Sequence, residues 1–265
     1  MFRRKCADLQ EHREFCETGL FMHWKPITAL LVCLVPALAQ SDGLPAKETL
    51  YYNIEWRLIT AGKAKIQWLA EPNRGWQFNL HLESAGLVSK LFRVEDDYSS
   101  NMSQGLCAQL AQFTAHEGSR ERETRITFDG PDHKADYLER DRVKNTVVLA
   151  RQIEIPTCTH DVAGGLYYLR TLNLEPGQSA QVPVSDGKKS VTAKVEAQQR
   201  EDVKTPEGVF HTIRYEAFLF DNVLYRRSAH LYIWVTDDKR RLPVQIRVRM
   251  QLAIGSITLQ LEKHE

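Results

Sequence analysis

The chain has 265 residues, 26% of them charged, with a formal net charge of +1 at pH 7. That length is enough to bury one core and suits a single β sandwich or barrel. Near-neutrality excludes the overall field that gathers nucleic acid or an acidic membrane surface, so any partner must be recognised locally.

The first signal along the chain is a targeting segment. Residues 1–21 mix both charges in a way that fits neither a leader nor a core, and are read as an upstream start with Met22 as the true initiator. Met22-His23-Trp24-Lys25 is a short basic region, Ile27 to Val35 an apolar run, and Ala37-Leu38-Ala39 a small-x-small cleavage site. These predict a signal peptide over 22–39, cut between Ala39 and Gln40, and a single β domain over 40–265. An apolar run of about ten residues falls short of the roughly twenty needed to cross a bilayer, so the cleaved chain is not expected to span a membrane. Val32 before Cys33 argues against a lipoprotein anchor. The expected location is periplasmic or secreted. Of the five cysteines only Cys107 and Cys158 outlast the leader. In an oxidising compartment two thiols pair, which predicts a Cys107–Cys158 disulfide. A closed loop of about fifty residues makes it worth on the order of 4 kcal/mol at most.

From Thr49 onward apolar residues recur with period two. Leu50, Tyr52, Ile54, Trp56 and Leu58 share one face of a strand, against Tyr51, Asn53, Glu55 and Arg57 on the other. Ala64-Ile66-Trp68 and Trp76-Phe78-Leu80-Leu82 continue the theme, separated by the turn Glu71-Pro72-Asn73-Arg74-Gly75. Further strands are expected over 121–129, 134–139, 147–153, 191–198, 209–220, 229–235, 242–252 and 256–262. Asp186-Gly187 suits a two-residue hairpin needing positive φ, and Thr205-Pro206-Glu207-Gly208 a type I turn. Between these strands, Val162, Leu166, Leu169 and Leu172 have helical spacing, with Asp161 as N-cap and Pro176-Gly177 as the stop. The expectation is an all-β domain: a strongly curved antiparallel sheet, barrel or roll, with one short helix.

Three clusters carry reactive groups. Cys158-Thr159-His160-Asp161 is the densest, but no second Cys/His pair supplies the remaining ligands of a zinc site, so it reads as disulfide plus helix cap. Glu95-Asp96-Asp97 sits in a strand where neighbours point to opposite faces, so the acids do not share one site. The basic run in Thr236-Asp237-Asp238-Lys239-Arg240-Arg241-Leu242-Pro243, together with Arg226-Arg227, would grip a phosphate or lipid headgroup only if the two segments lie side by side. No nucleophile-elbow, zincin, phosphate-loop or dinucleotide fingerprint is present, and the sequence offers no catalytic residue, cofactor or metal.

Glu48-Thr49-Leu50-Tyr51-Tyr52-Asn53-Ile54-Glu55-Trp56 with Ala61-Gly62, the Leu87–Phe92 segment leading to Asp96, the Asp161–Leu172 stretch, and Trp234-Val235-Thr236-Asp237-Asp238 with Pro243-Val244 resemble, in order and spacing, the exported family catalogued as domain of unknown function 3108. The likeness runs from about Glu48 to Leu261. It implies a Gram-negative envelope protein with a strongly curved antiparallel sheet and no established activity. The chain is also distantly similar, in fold only, to periplasmic lipoprotein carriers. That likeness lends little to function; export, the all-β pattern and the inward-facing aromatics Trp56, Trp68, Trp76 and Phe78 instead motivate the leading expectation, a non-enzymatic protein that binds a lipid or other hydrophobic ligand in a groove of the curved sheet. The alternatives are an envelope scaffold binding a protein through sheet edges or loops, and an unrecognised hydrolase centred on His160.

Overall fold

The period-two pattern is realised almost throughout. The computed structural model describes residues 43–57, 59–250 and 255–265, which carry fourteen strands and two helices. The predicted signal segment 22–39, its cleavage point between Ala39 and Gln40, Leu58 and the end of the strand expected over 242–252 lie outside the described residues.

Strands β1 (Lys47–Trp56), β2 (Ile59–Glu71), β3 (Gly75–Ser84), β4 (Val94–Met102), β5 (Ala108–Glu117), β6 (Arg120–Asp129), β7 (Lys134–Asp141) and β8 (Thr146–Glu154) form one antiparallel meander. A second consists of β9 (Ser179–Ser185), β10 (Ser190–Lys204), β11 (Val209–Ala217), β12 (Ala229–Thr236), β13 (Pro243–Met250) and β14 (Ser256–His264). Pairing of β1 with β14 fuses them into one 14-stranded sheet whose two edges, β8 and β9, are consecutive in sequence.

Laid flat, such a sheet would be about 60 Å wide. It curls instead, and the segment leaving β8 shows how. The Thr159 carbonyl accepts from Ala108 N–H of β5 at 2.8 Å. His160 N–H donates to the Pro183 carbonyl of β9, and Ser185 N–H to the His160 carbonyl, both at 2.9 Å, making a parallel bridge between His160 and Val184. Two consecutive residues thus tie the first meander to the far edge of the second. Beside them Cys107 and Cys158 are bonded, with Cα atoms 5.0 Å apart. The result is a curved sheet that is not closed.

Helix α2 (Val162–Thr171) lies on the inner side of this curve, where it touches both meanders. Ala163 and Tyr167, four residues apart on one face, join Leu50, Tyr52, Trp68, Phe78 and Met102 in one core cluster. Leu169 joins Val182, Val184, Ala197, Ile213 and Tyr215 in another. The Tyr167 ring stacks on Trp68 with centroids 3.8 Å apart, a contact worth about 0.5–1.5 kcal/mol beyond its area. Arg170 enters the same interior, its side chain only 1% exposed, and its guanidinium grips Glu48 of β1 with bonds of 2.6 and 2.9 Å. Two more donors reach the Arg240 and Arg241 carbonyls at 3.1 and 2.9 Å, so the buried charge is paired and hydrogen-bonded on both sides.

Several elements depart from expectation. There are two helices among the described residues, because α1 (Gly86–Leu91) forms one and a half turns between β3 and β4 with no buried residue to give it a core signature. The Asp186-Gly187 turn is a four-residue loop rather than a two-residue hairpin. Ser185 pairs with Ser190, and the Asp186 carboxylate accepts from the Lys188 and Lys189 N–H groups, which stabilises the longer loop. Strands β4, β5 and β9 are too polar or too short to advertise alternation.

Candidate functional site

The three reactive clusters resolve into structural roles. His160 is buried, donates from Nδ1–H to the Leu106 carbonyl at 2.7 Å and stacks on Tyr168 at 4.4 Å. Burial pulls its pKa below the ordinary 6.5, so the ring is held neutral. Asp161 caps α2 by accepting Gly164 N–H at 2.6 Å and takes the Tyr98 hydroxyl on its other oxygen, also at 2.6 Å. Gly164 is required here, since a Cβ would lie 2.9 Å from that capping oxygen and 3.0 Å from the Met102 sulfur. Cys158, His160 and Asp161 are thus committed to holding the seam and the helix.

The acidic run is dispersed as strand geometry requires. Glu95 pairs with Arg93 at 2.7 Å, Asp97 with His81 at 2.8 Å, and Asp96 accepts His116 N–H at 3.0 Å. Burial pushes the Asp96 carboxyl above its ordinary value. No group of three or more metal-ligating side chains converges among the described residues.

The basic segments do not meet. Arg226-Arg227 precede β12 and the 237–242 loop follows it, so an eight-residue strand, about 25 Å long, separates them. Within the loop the Asp238 carboxylate accepts from Arg240 Nε at 2.9 Å and from the Thr236 hydroxyl at 2.7 Å, while Arg241 turns inward to the Tyr215 hydroxyl and the Leu172 carbonyl. The condition for an anion grip, that the two basic segments lie side by side, is not met, and Arg240 and Arg241 are engaged within the fold.

The expected aromatic groove is likewise filled. Trp68 and Phe78 are buried against Tyr167, and Trp76 stacks on Trp68 at 4.8 Å. Only Trp56, at the end of β1, remains exposed.

What the sequence did not single out is the sheet's open edge. In β8, Thr-Val-Val-Leu-Ala-Arg-Gln-Ile-Glu, every residue but Ile153 is exposed, although neighbours point to opposite faces. Val147, Val148 and Leu149 are among the exposed large apolar side chains, Val147 at 56%. A bulge places Val148 out of register with β7, leaving Leu149 to Glu154 as a regular edge. Ile155 N–H bonds the His133 carbonyl, and residues alternate in an antiparallel ladder. It follows that Ala150, Gln152 and Glu154 aim their N–H and C=O groups away from β7. Where this edge ends, an open cleft of about 520 Å³ begins, between His133, Lys134, Glu154 and Ile155 on one side and Ser190, Val191 and Thr192 of β10 on the other. Alternation is the usual signal of a strand, and its loss here, an apolar triplet running into a polar end, is the trace in the sequence that would have marked the edge.

Comparison with known proteins is consistent with this picture of the fold. The family described as protein of unknown function (DUF3108) matches residues 51–262. No curated protein matches the sequence. Among solved structures, a β-barrel-like protein of domain of unknown function DUF1849 from Brucella abortus superposes with a TM-score of 0.57 at 9% identity, over 84% of this chain and 98% of that one. A DUF1089 family protein from Pseudomonas aeruginosa gives a TM-score of 0.38 at 13% identity, over 71% and 90% of the two chains. The first likeness shows the fold alone.

Proposed function

The chain belongs to the DUF3108 family, and from that premise, which assigns no activity, we propose a non-enzymatic binding module of the cell envelope that takes up an extended segment of a partner protein along β8. One observation carries the reading: among the described residues β8 is exposed on both faces, is unpaired along one side, and leads into the 520 Å³ cleft. An added strand would satisfy the outward groups of Ala150, Gln152 and Glu154, with side chains falling alternately on the two exposed faces. The lipid-carrier reading is the weaker of the two, since the aromatics that would line a groove are packed against α2. The hydrolase reading loses its centre, because His160 bonds a backbone carbonyl inside the seam. Export to the periplasm or beyond, through the 22–39 segment, belongs to the same proposal.

The test is a photo-crosslinking residue at Gln152 in the producing cell, read with amide exchange of the purified complex. Crosslinking to one partner, with slowed exchange at Ala150, Gln152 and Glu154 and loss of both on Ala150→Pro, is the expected result. Proline removes an outward N–H that β7 does not use, so the fold survives. Unprotected β8 amides in the complex would end the proposal.

A further inference from the structure

One end of the first meander differs from the other. The β2–β3, β4–β5 and β6–β7 turns at one end expose no large apolar side chain. At the other end the last residue of β1, the first of β2, α1 with its C-cap and the β7–β8 turn carry Trp56, Ile59, Leu87, Leu91, Phe92 and Val143, all exposed. Leu91 is 78% and Leu87 62% exposed, values that no core accounts for. These elements adjoin: Ala85 N–H bonds the Ala61 carbonyl, Gly118 N–H the Arg93 carbonyl, and Arg142 N–H the Glu121 carbonyl, at 2.8, 2.8 and 3.1 Å.

Cations are interleaved with the apolar groups. Arg57 lies over the Trp56 ring at 5.6 Å, Lys90 sits between Leu87 and Leu91 in sequence, and exposed Lys144 follows Val143. Arg57 also holds a positive φ of 49°, a conformation that Asn or Gly adopts more readily. A cation is thus kept at the tip at some conformational cost.

We propose that this end of the meander docks on the surface of an anionic lipid bilayer. Leucine, phenylalanine and tryptophan side chains projecting singly from turns enter the interfacial zone of a fluid bilayer, while arginine and lysine beside them meet lipid phosphates. A protein partner fits this surface less well, because interface cores are depleted of charge and packed against matching shapes, whereas here charge is interleaved and the side chains protrude. The proposal is independent of strand addition at β8.

The experiment is co-sedimentation of the purified chain with vesicles of phosphatidylcholine containing about one-third phosphatidylglycerol, compared with phosphatidylcholine alone. Leu91→Glu is expected to weaken binding to the anionic vesicles by about tenfold or more, since it replaces an inserted apolar group by a like charge of the lipid. Lys90→Ala with Lys144→Ala weakens it less, and about 0.5 M salt has a similar effect on the unaltered chain. Leu69→Glu, exposed on β2 away from this end, leaves binding unchanged. No difference between Leu91→Glu and the unaltered chain, or equal loss in Leu69→Glu, overturns the proposal. So does binding that ignores phosphatidylglycerol. Circular dichroism of each variant verifies that the sheet is intact.

Discussion

The two edges of this one sheet have been treated in opposite ways. On β9 the backbone is met by the His160 bridge, Val182 and Val184 are buried against Leu169 of α2, and Pro183 removes one donor from the edge. On β8 there is no proline and no covering segment among the described residues, and Val147, Val148 and Leu149 are exposed. A sheet edge left bare invites pairing, and proteins ordinarily blunt it. That one edge is sealed by a helix, a disulfide and a bridge while its neighbour in sequence stays open shows that closure is local. It is built where residues 155–171 pass.

The contrast can be broken at the sealed side first. Arg170→Ala strands the buried Glu48 carboxylate and is expected to lower unfolding free energy by about 3–5 kcal/mol, measured by urea denaturation. Next is the seam: replacing Cys107 and Cys158 by alanine is expected to lower stability by about 2–4 kcal/mol and to speed amide exchange at His160 and Ser185, with β8 amides unaffected. Equal acceleration at both edges would mean that the sheet opens as one body.

Matched valine truncations should separate the two edges. Val184→Ala should lower stability by about 1.5–3 kcal/mol, whereas Val147→Ala on the open edge should stay within about 0.5 kcal/mol. Similar values for the two would show that β8 is covered in solution. The last lever is pH. Because burial holds the folded His160 pKa below 6.5, the unfolded chain binds more protons between those two values. Stability should therefore be full above about pH 6.5 and decline as pH falls toward the folded pKa, and His160→Asn should flatten that part of the profile.

Most of the strands were legible because a half-buried strand writes its two faces into alternate residues, as in Leu50-Tyr51-Tyr52-Asn53-Ile54. Helix α2 was legible as a helix, from the spacing of Val162, Leu166 and Leu169 and the capping Asp161, but not in its facing: Val162 is exposed, and Ala163, Tyr167 and Arg170 carry the buried side. Strand β4 was legible only at its solvated start, Glu95-Asp96-Asp97, since the rest of the strand has little to bury and shows no clear alternation. Helix α1 escaped because Leu87 and Leu91, one turn apart, face away from the core. The candidate site was the least legible part. β8 shows its character only through what fails to pack on it, and the sequence of a strand does not record which neighbour it lacks.

Local pattern was enough for an antiparallel β chain with one short helix, a pair of cysteines available to bond, and membership of a family recognised by its opening strand and its Asp161–Leu172 stretch. These follow from local period, local caps and residue type, which act over a few neighbouring positions. Long-range packing set the pairing of β1 with β14, made β8 and β9 the edges, and placed Tyr167 against Trp68 and Phe78 where a groove was expected. Those outcomes depend on which distant segments meet, and hydrophobic burial rewards any close packing of apolar faces without specifying the partner in the local pattern.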